Sequence, residues 1–188
     1  MNTKKLAGIG ALTAIVVILQ LLGGGIKFSM FSITLVLIPI VVGAALYGWK
    51  AGLWLGTAFG VAVLMSGDAG AFLSVDVLGT ILVVLLKGAL CGTIAGFVYQ
   101  LLSKVNAFLA TVCAALICPV VNTGVFLLGC LVFFMPTINQ WALQLGYTDA
   151  GSYMILGLVG INFLVEVGVN IVLVPVVTRL VRLSKQLF

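Results

Sequence analysis

Long apolar stretches, separated by short clusters of glycine, proline and charge, set the pattern of the chain. They cover about 5–22, 32–47, 51–66, 77–102, 107–134 and 153–180. Each is read as a helix, since ~1.5 Å per residue carries about 20 residues across a ~30 Å hydrocarbon core. The runs 32–47 and 51–66 are short for a full crossing. Tilt, irregular ends or local thinning of the bilayer must make up the difference. Segments of short alternating polarity, the mark of a membrane β-barrel, are missing. The expected fold class is therefore an all-α membrane protein, a compact bundle of six transmembrane helices forming a single domain over 1–188. The N-terminal stretch MNTKKLAGIGALTAIVVILQLLGGG has the basic-then-apolar form of a signal peptide. It lacks a convincing small-x-small cleavage site and is read as a retained first helix.

Charge gives the bundle a direction. The 188 residues carry nine Lys and Arg, four Asp and Glu and no histidine, too few to coat a soluble domain. Lys4, Lys5, Lys50, Lys104, Arg179, Arg182 and Lys185 fall on the side of both termini. The opposite connections hold Lys27 with Asp68, Asp76 and Asp149. Cytoplasmic loops retain Lys and Arg, so both termini are expected in the cytoplasm, N-in/C-in. The basic excess then reflects topology and attraction to the lipid surface, and a nucleic-acid partner is not expected.

Several chemistries lack their residues. Cys91, Cys113, Cys118 and Cys130 sit within apolar runs without a CxxC pair and are read as small buried side chains. No metal site and no cofactor is expected, and no catalytic residue can be nominated, because no serine–histidine arrangement and no acidic cluster exists. The nearest approach to a phosphate loop, GAALYGWKAG, has Trp49 where the lysine belongs. The chain is not expected to hydrolyse ATP, so uphill uptake would need a borrowed engine.

Polar residues at membrane depth are the candidate chemistry. Lys87 lies near the middle of the fourth run, where a charge costs on the order of 3 kcal/mol and needs a partner or a wet cavity. Asn162, Glu166 and Asn170 follow i, i+4, i+8 spacing and share one face of the last run. In the fifth run Pro119 can kink the helix, with Asn122 and Thr123 one turn later. One reading is a buried Lys87–Glu166 ion pair, with the asparagines bonding between helices. Another is a polar pocket between the last three runs, open to the outside. There Lys87 offers a cation to an anionic group and the amides of Asn122, Asn162 and Asn170 bind hydroxyls or an amide. Proton coupling through Glu166 is a third reading, although no chain of titratable residues leads away from it.

Outward connections carry aromatics, among them Phe28, Phe31, Phe72, Trp141 and Tyr147. Such residues anchor helices at the interface; Phe28, Phe31 and Trp141 are also candidates for lids over a site. Small residues form stripes. Gly52, Gly56, Gly60 and Gly88, Gly92, Gly96 suit packing inside the bundle. Ala7, Gly10, Ala11 and Ala14 form a flat face on the first helix that suits either internal packing or a second protein.

With its alanine stripe LAGIGALTA, a glycine-rich connection after the first helix and the segment SITLVLIPIVVGAALYGWKAGLWLGTAFGV, the whole chain resembles the S component, or substrate-binding subunit, of an energy-coupling factor (ECF) transporter. The resemblance implies a subunit without enzymatic activity in a prokaryotic plasma membrane. It captures a vitamin-like small molecule from outside, in a pocket built by the last three helices and capped by the outward loops. The first-helix stripe, with Ala7 and Ala11 matching the Ala-x-x-x-Ala motif, would dock on a membrane-embedded coupling subunit joined to two cytoplasmic ATPases. The S component would then topple and release its cargo inside. The segment PVVNTGVFLLG looks most like pantothenate-type members. Riboflavin, thiamine and folate remain alternatives, and IKFSMFSITL departs from the acidic pattern of riboflavin members. A stand-alone secondary transporter or channel is the competing class; it would want an inverted repeat, and none is visible.

Overall fold

The computed structural model describes the backbone of residues 3–23, 27–28, 31–32 and 35–187, and the side chains of residues 3–23 and 35–183. Helices dominate: α1 (Thr3–Gly23), α2 (Leu37–Tyr47), α3 (Trp49–Ser66), the single turn α4 (Gly70–Leu73), α5 (Val77–Leu102), α6 (Ala107–Gly129), α7 (Met135–Gln144), α8 (Ala150–Ser152) and α9 (Ile161–Leu187). Two π-helical segments, Cys130–Phe134 and Tyr153–Gly160, join α6 to α7 and α8 to α9. Lys27–Phe28 (β1) and Phe31–Ser32 (β2) pair in a short antiparallel ladder. Among the described residues, four helical runs are long and apolar enough to cross a membrane: Thr3–Gly23, Val77–Leu102, Ala107–Gln144 and Ala150–Leu183.

The helix expected from residue 32 begins at Leu37, because Phe31 and Ser32 belong to the ladder. The connection expected over 135–152 is helical through α7. Pro136 sits in its first turn, where the missing N–H has no intrahelical partner to lose. Ile138 and Ala142, one turn apart, bury the inner face of α7. Phe134, at φ −122° and ψ 3°, breaks the axis between the π segment and α7. The last helical run starts at Ala150, where the expected start was 153, because Asp149 caps it. Its carboxylate accepts from the Ser152 N–H at 2.9 Å and the Ser152 hydroxyl at 2.7 Å.

The Ser152 backbone N–H, then the Ser152 and Thr148 hydroxyls, hold the Asp149 carboxyl below the usual carboxylate range. A lowered value means the cap contributes fully above the ordinary carboxylate pKa and is lost as pH falls through the lowered one. Asp149→Ala is expected to speed amide exchange at Ala150–Tyr153 near neutral pH. The difference from the parent should shrink towards acid, after correction for intrinsic rates.

The centre of the bundle is α2. It is apolar on every side and buried from Pro39 to Ala45, packing against α1, α3, α5, α6 and α9. At Gly48 the chain turns directly into α3 with φ 91°, a conformation that disfavours any side chain. The two glycine stripes face each other across the α3–α5 contact. A Cβ at Gly56 would strike the Gly88 carbonyl, and one at Gly52 the Gly92 carbonyl. These antiparallel backbones therefore touch. Gly56→Leu is expected to destabilise the protein by about 3 kcal/mol or more. In a thermal-unfolding assay of both variants, Gly10→Ala, with nothing within 4 Å, should be neutral or slightly stabilising.

Helix α1 is peripheral, with 11% of its apolar window buried. It meets the bundle along one line. Gly8 lies over Tyr47, Leu12 packs on the core, Val16 is fully buried and Gln20 is 3% exposed. Ala7, Gly10, Ala11 and Ala14 point away from the bundle and are exposed.

Candidate functional site

Two apolar clusters leave a chamber between them, its largely apolar wall carrying several polar side chains. One surrounds α2 and includes Phe59, Val63, Ala69 and Val84. The other gathers Phe72, Val83, Phe134 and Leu158 around α4 and the π segments. All eight residues also line a cavity of about 80 Å³. That volume holds several waters at roughly 10–15 Å³ each, so a vitamin-sized molecule requires the walls to part.

Helix α5 supplies Thr80, Val83, Val84 and Lys87 to the wall, the i, i+3, i+4, i+7 face of one helix. Lys87 is ten residues into α5, about 15 Å from its start. Its ammonium lies 5.7 Å from the Phe59 ring centroid and 5.5 Å from that of Phe126. Each ring presents a negative face to the cation. The carboxylates of Glu166 and Asp68 add negative potential at the ammonium. Helix α6 supplies Asn122, Thr123 and Phe126, one turn beyond Pro119, whose missing N–H interrupts the helix ladder. Helix α9 supplies Asn162, Phe163 and Glu166. Its Ile161 and Leu164 are 65% and 69% exposed, whereas Asn162 and Glu166 are buried. The polar residues face inward, as lipid on the outside demands.

Asn122 is 5% and Asn162 9% exposed. The Oδ1 atoms of both are buried with no hydrogen-bond partner among the described residues. A buried amide oxygen left unpaired costs on the order of 1–3 kcal/mol, so both oxygens take a donor from whatever fills the chamber, water or solute.

The structure thus gathers Lys87, Asn122, Asn162 and Glu166 around one cavity. Asn170 is buried, but it is not among the lining residues, and its Nδ2 donates to the Glu166 backbone carbonyl at 2.7 Å. Trp141 also stands back from the wall, its ring 5.5 Å from that of Phe72 in an edge-to-face contact. Phe72 itself lines the chamber and touches Phe126 and Phe134. The side chains of Phe28 and Phe31 lie outside the described residues.

Sequence reasoning passed over Gln20 and Asp68. Gln20 reaches the cavity from α1, its Nε2 donating to Asp68 Oδ2 at 2.6 Å and to Ser66 Oγ at 3.4 Å. A lone glutamine in the apolar stretch VVILQLL was the available signal.

Apolar helices around a chamber with polar groups in its wall define a helical membrane protein. A family model described as "ECF transporter, substrate-specific component" matches residues 4–178, and the chain belongs to that family. No curated protein and no solved structure matches it. The protein is accordingly a multi-pass membrane protein and the substrate-binding subunit of an ECF transporter, a transport component and not an enzyme. Subunits of this family work with a membrane coupling subunit and ATPases.

Proposed function

We propose that the chamber between α3, α5, α6 and α9 is the cargo site, and that its cargo is a vitamin, with pantothenate the best fit. The observation that carries the assignment is the pair of unpaired buried oxygens, Asn122 Oδ1 and Asn162 Oδ1, on a cavity that also holds Lys87 and Glu166. The hydroxyls and amide N–H of pantothenate can donate to those oxygens, and its carboxylate suits the Lys87 ammonium. Glu166 holds Lys87 in position through its field. Phe72, backed by Trp141, closes the chamber on the side of α4 and α7.

In this reading the chain crosses the membrane six times with both termini in the cytoplasm. The bases at the starts of α1 and α3 and the ends of α5 and α9 support it, since they gather at one end of an antiparallel bundle. Helix α2 is only about 16 Å long and crosses inside the bundle, where it is shielded from lipid. The outer face of α1, with Ala7, Gly10, Ala11 and Ala14, docks on the coupling subunit, which brings the two ATPases.

Native mass spectrometry of the purified protein tests the cargo assignment. A co-purified mass matching pantothenate is expected. Riboflavin, thiamine or folate would replace the cargo while keeping the site. Uptake by vesicles containing this chain alone would instead make it a stand-alone transporter or channel.

A further inference from the structure

Helix α1 has two working faces. Its exposed stripe of small residues lies on one side. On the other, Gln20 is the one polar residue among the buried positions of the helix, and it forms part of the chamber wall. Gln20 Nε2 bridges Asp68 Oδ2 and Ser66 Oγ. The Ser66 hydroxyl in turn donates to the Val63 carbonyl at 3.0 Å, and Val63 lines the same chamber. A charge-assisted hydrogen bond at the outward end of α1 therefore ties it to the cavity wall. Nearer the N-terminus, α1 is held by small apolar contacts and by the Trp54 Nε1 bond to Thr13 Oγ1 at 3.1 Å.

We propose that Gln20 and Asp68 form a latch through which the state of the cargo chamber sets the position of the docking helix. Gln20 is a positioning residue. It holds the C-terminal half of α1 against α3, and so fixes where the stripe about two to four turns away is presented. Cargo that widens the chamber moves Asp68 and Phe72, and the latch transmits that movement to α1. Linkage then requires docking to change cargo affinity by the factor with which cargo changes docking. The inference rests on the reading of the α1 stripe as the docking surface.

The test measures binding of the full chain in nanodiscs to its purified coupling subunit–ATPase complex. Gln20→Leu keeps a helix-forming, buried side chain but cannot donate to Asp68. It is expected to weaken docking roughly tenfold, the equivalent of one charge-assisted bond. Gln20→Glu alone places two carboxylates together and should weaken docking at least as much. Gln20→Glu combined with Asp68→Asn exchanges donor and acceptor and is expected to restore docking to within about threefold of the parent. Packing alone would not produce that rescue, and the combination keeps the test decisive if Gln20→Leu fails to fold. Failure of the combined variant to dock better than Gln20→Glu, or parental docking by Gln20→Leu, overturns the latch. Ala11→Trp is measured alongside. Parental docking by that variant overturns the docking surface itself, and the latch with it.

Discussion

Ala11→Trp is expected to abolish uptake by the assembled transporter while leaving cargo binding to the isolated chain unchanged. Ala11 lies on the exposed face of α1, nine residues or about 13 Å from the nearest cavity residue on that helix, Gln20. A tryptophan there changes nothing inside the bundle. It prevents the close backbone approach that small residues permit between membrane helices. A loss of about 10²-fold or more in uptake is expected, because the packing of a whole helix face is removed. Transport of radiolabelled cargo into vesicles containing the complete complex, beside equilibrium binding to the purified chain, separates the two effects. Loss of binding as well would place the stripe in the protein's own fold.

The second large effect falls inside the chamber. Lys87→Ala removes the cation that the Phe59 and Phe126 rings hold at the wall. For an anionic cargo such as pantothenate, about 10²-fold weaker binding is expected, the scale of a desolvated charge contact. Lys87→Met paired with Glu166→Leu separates the alternatives. If the two residues served only to staple helices, the apolar pair would leave uptake unchanged. The cargo-site account predicts that uptake collapses while the thermal stability of the bundle is kept or raised.

Much of this fold is legible in the apolar runs, because lipid enforces helices wherever a long uncharged stretch must satisfy its own backbone. Gly52, Gly56, Gly88 and Gly92 are legible as packing surfaces for the same reason, since their four-residue spacing leaves one face without side chains. What escapes is local. Residues 31–32 sit at the edge of an apolar run, and only pairing with Lys27–Phe28 marks them as strand. Helix α7 is hidden behind Met135-Pro136, a dipeptide that suits a loop as well as a first helical turn. Within the site, Lys87, Asn122, Asn162 and Glu166 are conspicuous because polar groups are costly in lipid. Asn170 shares their spacing, yet its amide is used by the backbone of its own helix. Gln20 and Asp68 come from different elements, and only the tertiary fold brings them together.

Isothermal titration of pantothenate, riboflavin, thiamine and folate into the purified chain, beside Asn122→Ala, tests the central claim most directly. The account predicts that one of the four binds the parent at micromolar affinity or tighter, and that Asn122→Ala weakens it by about tenfold or more, since the variant lacks the buried oxygen awaiting a donor. Binding of none of them, or equal binding to parent and variant, would contradict it.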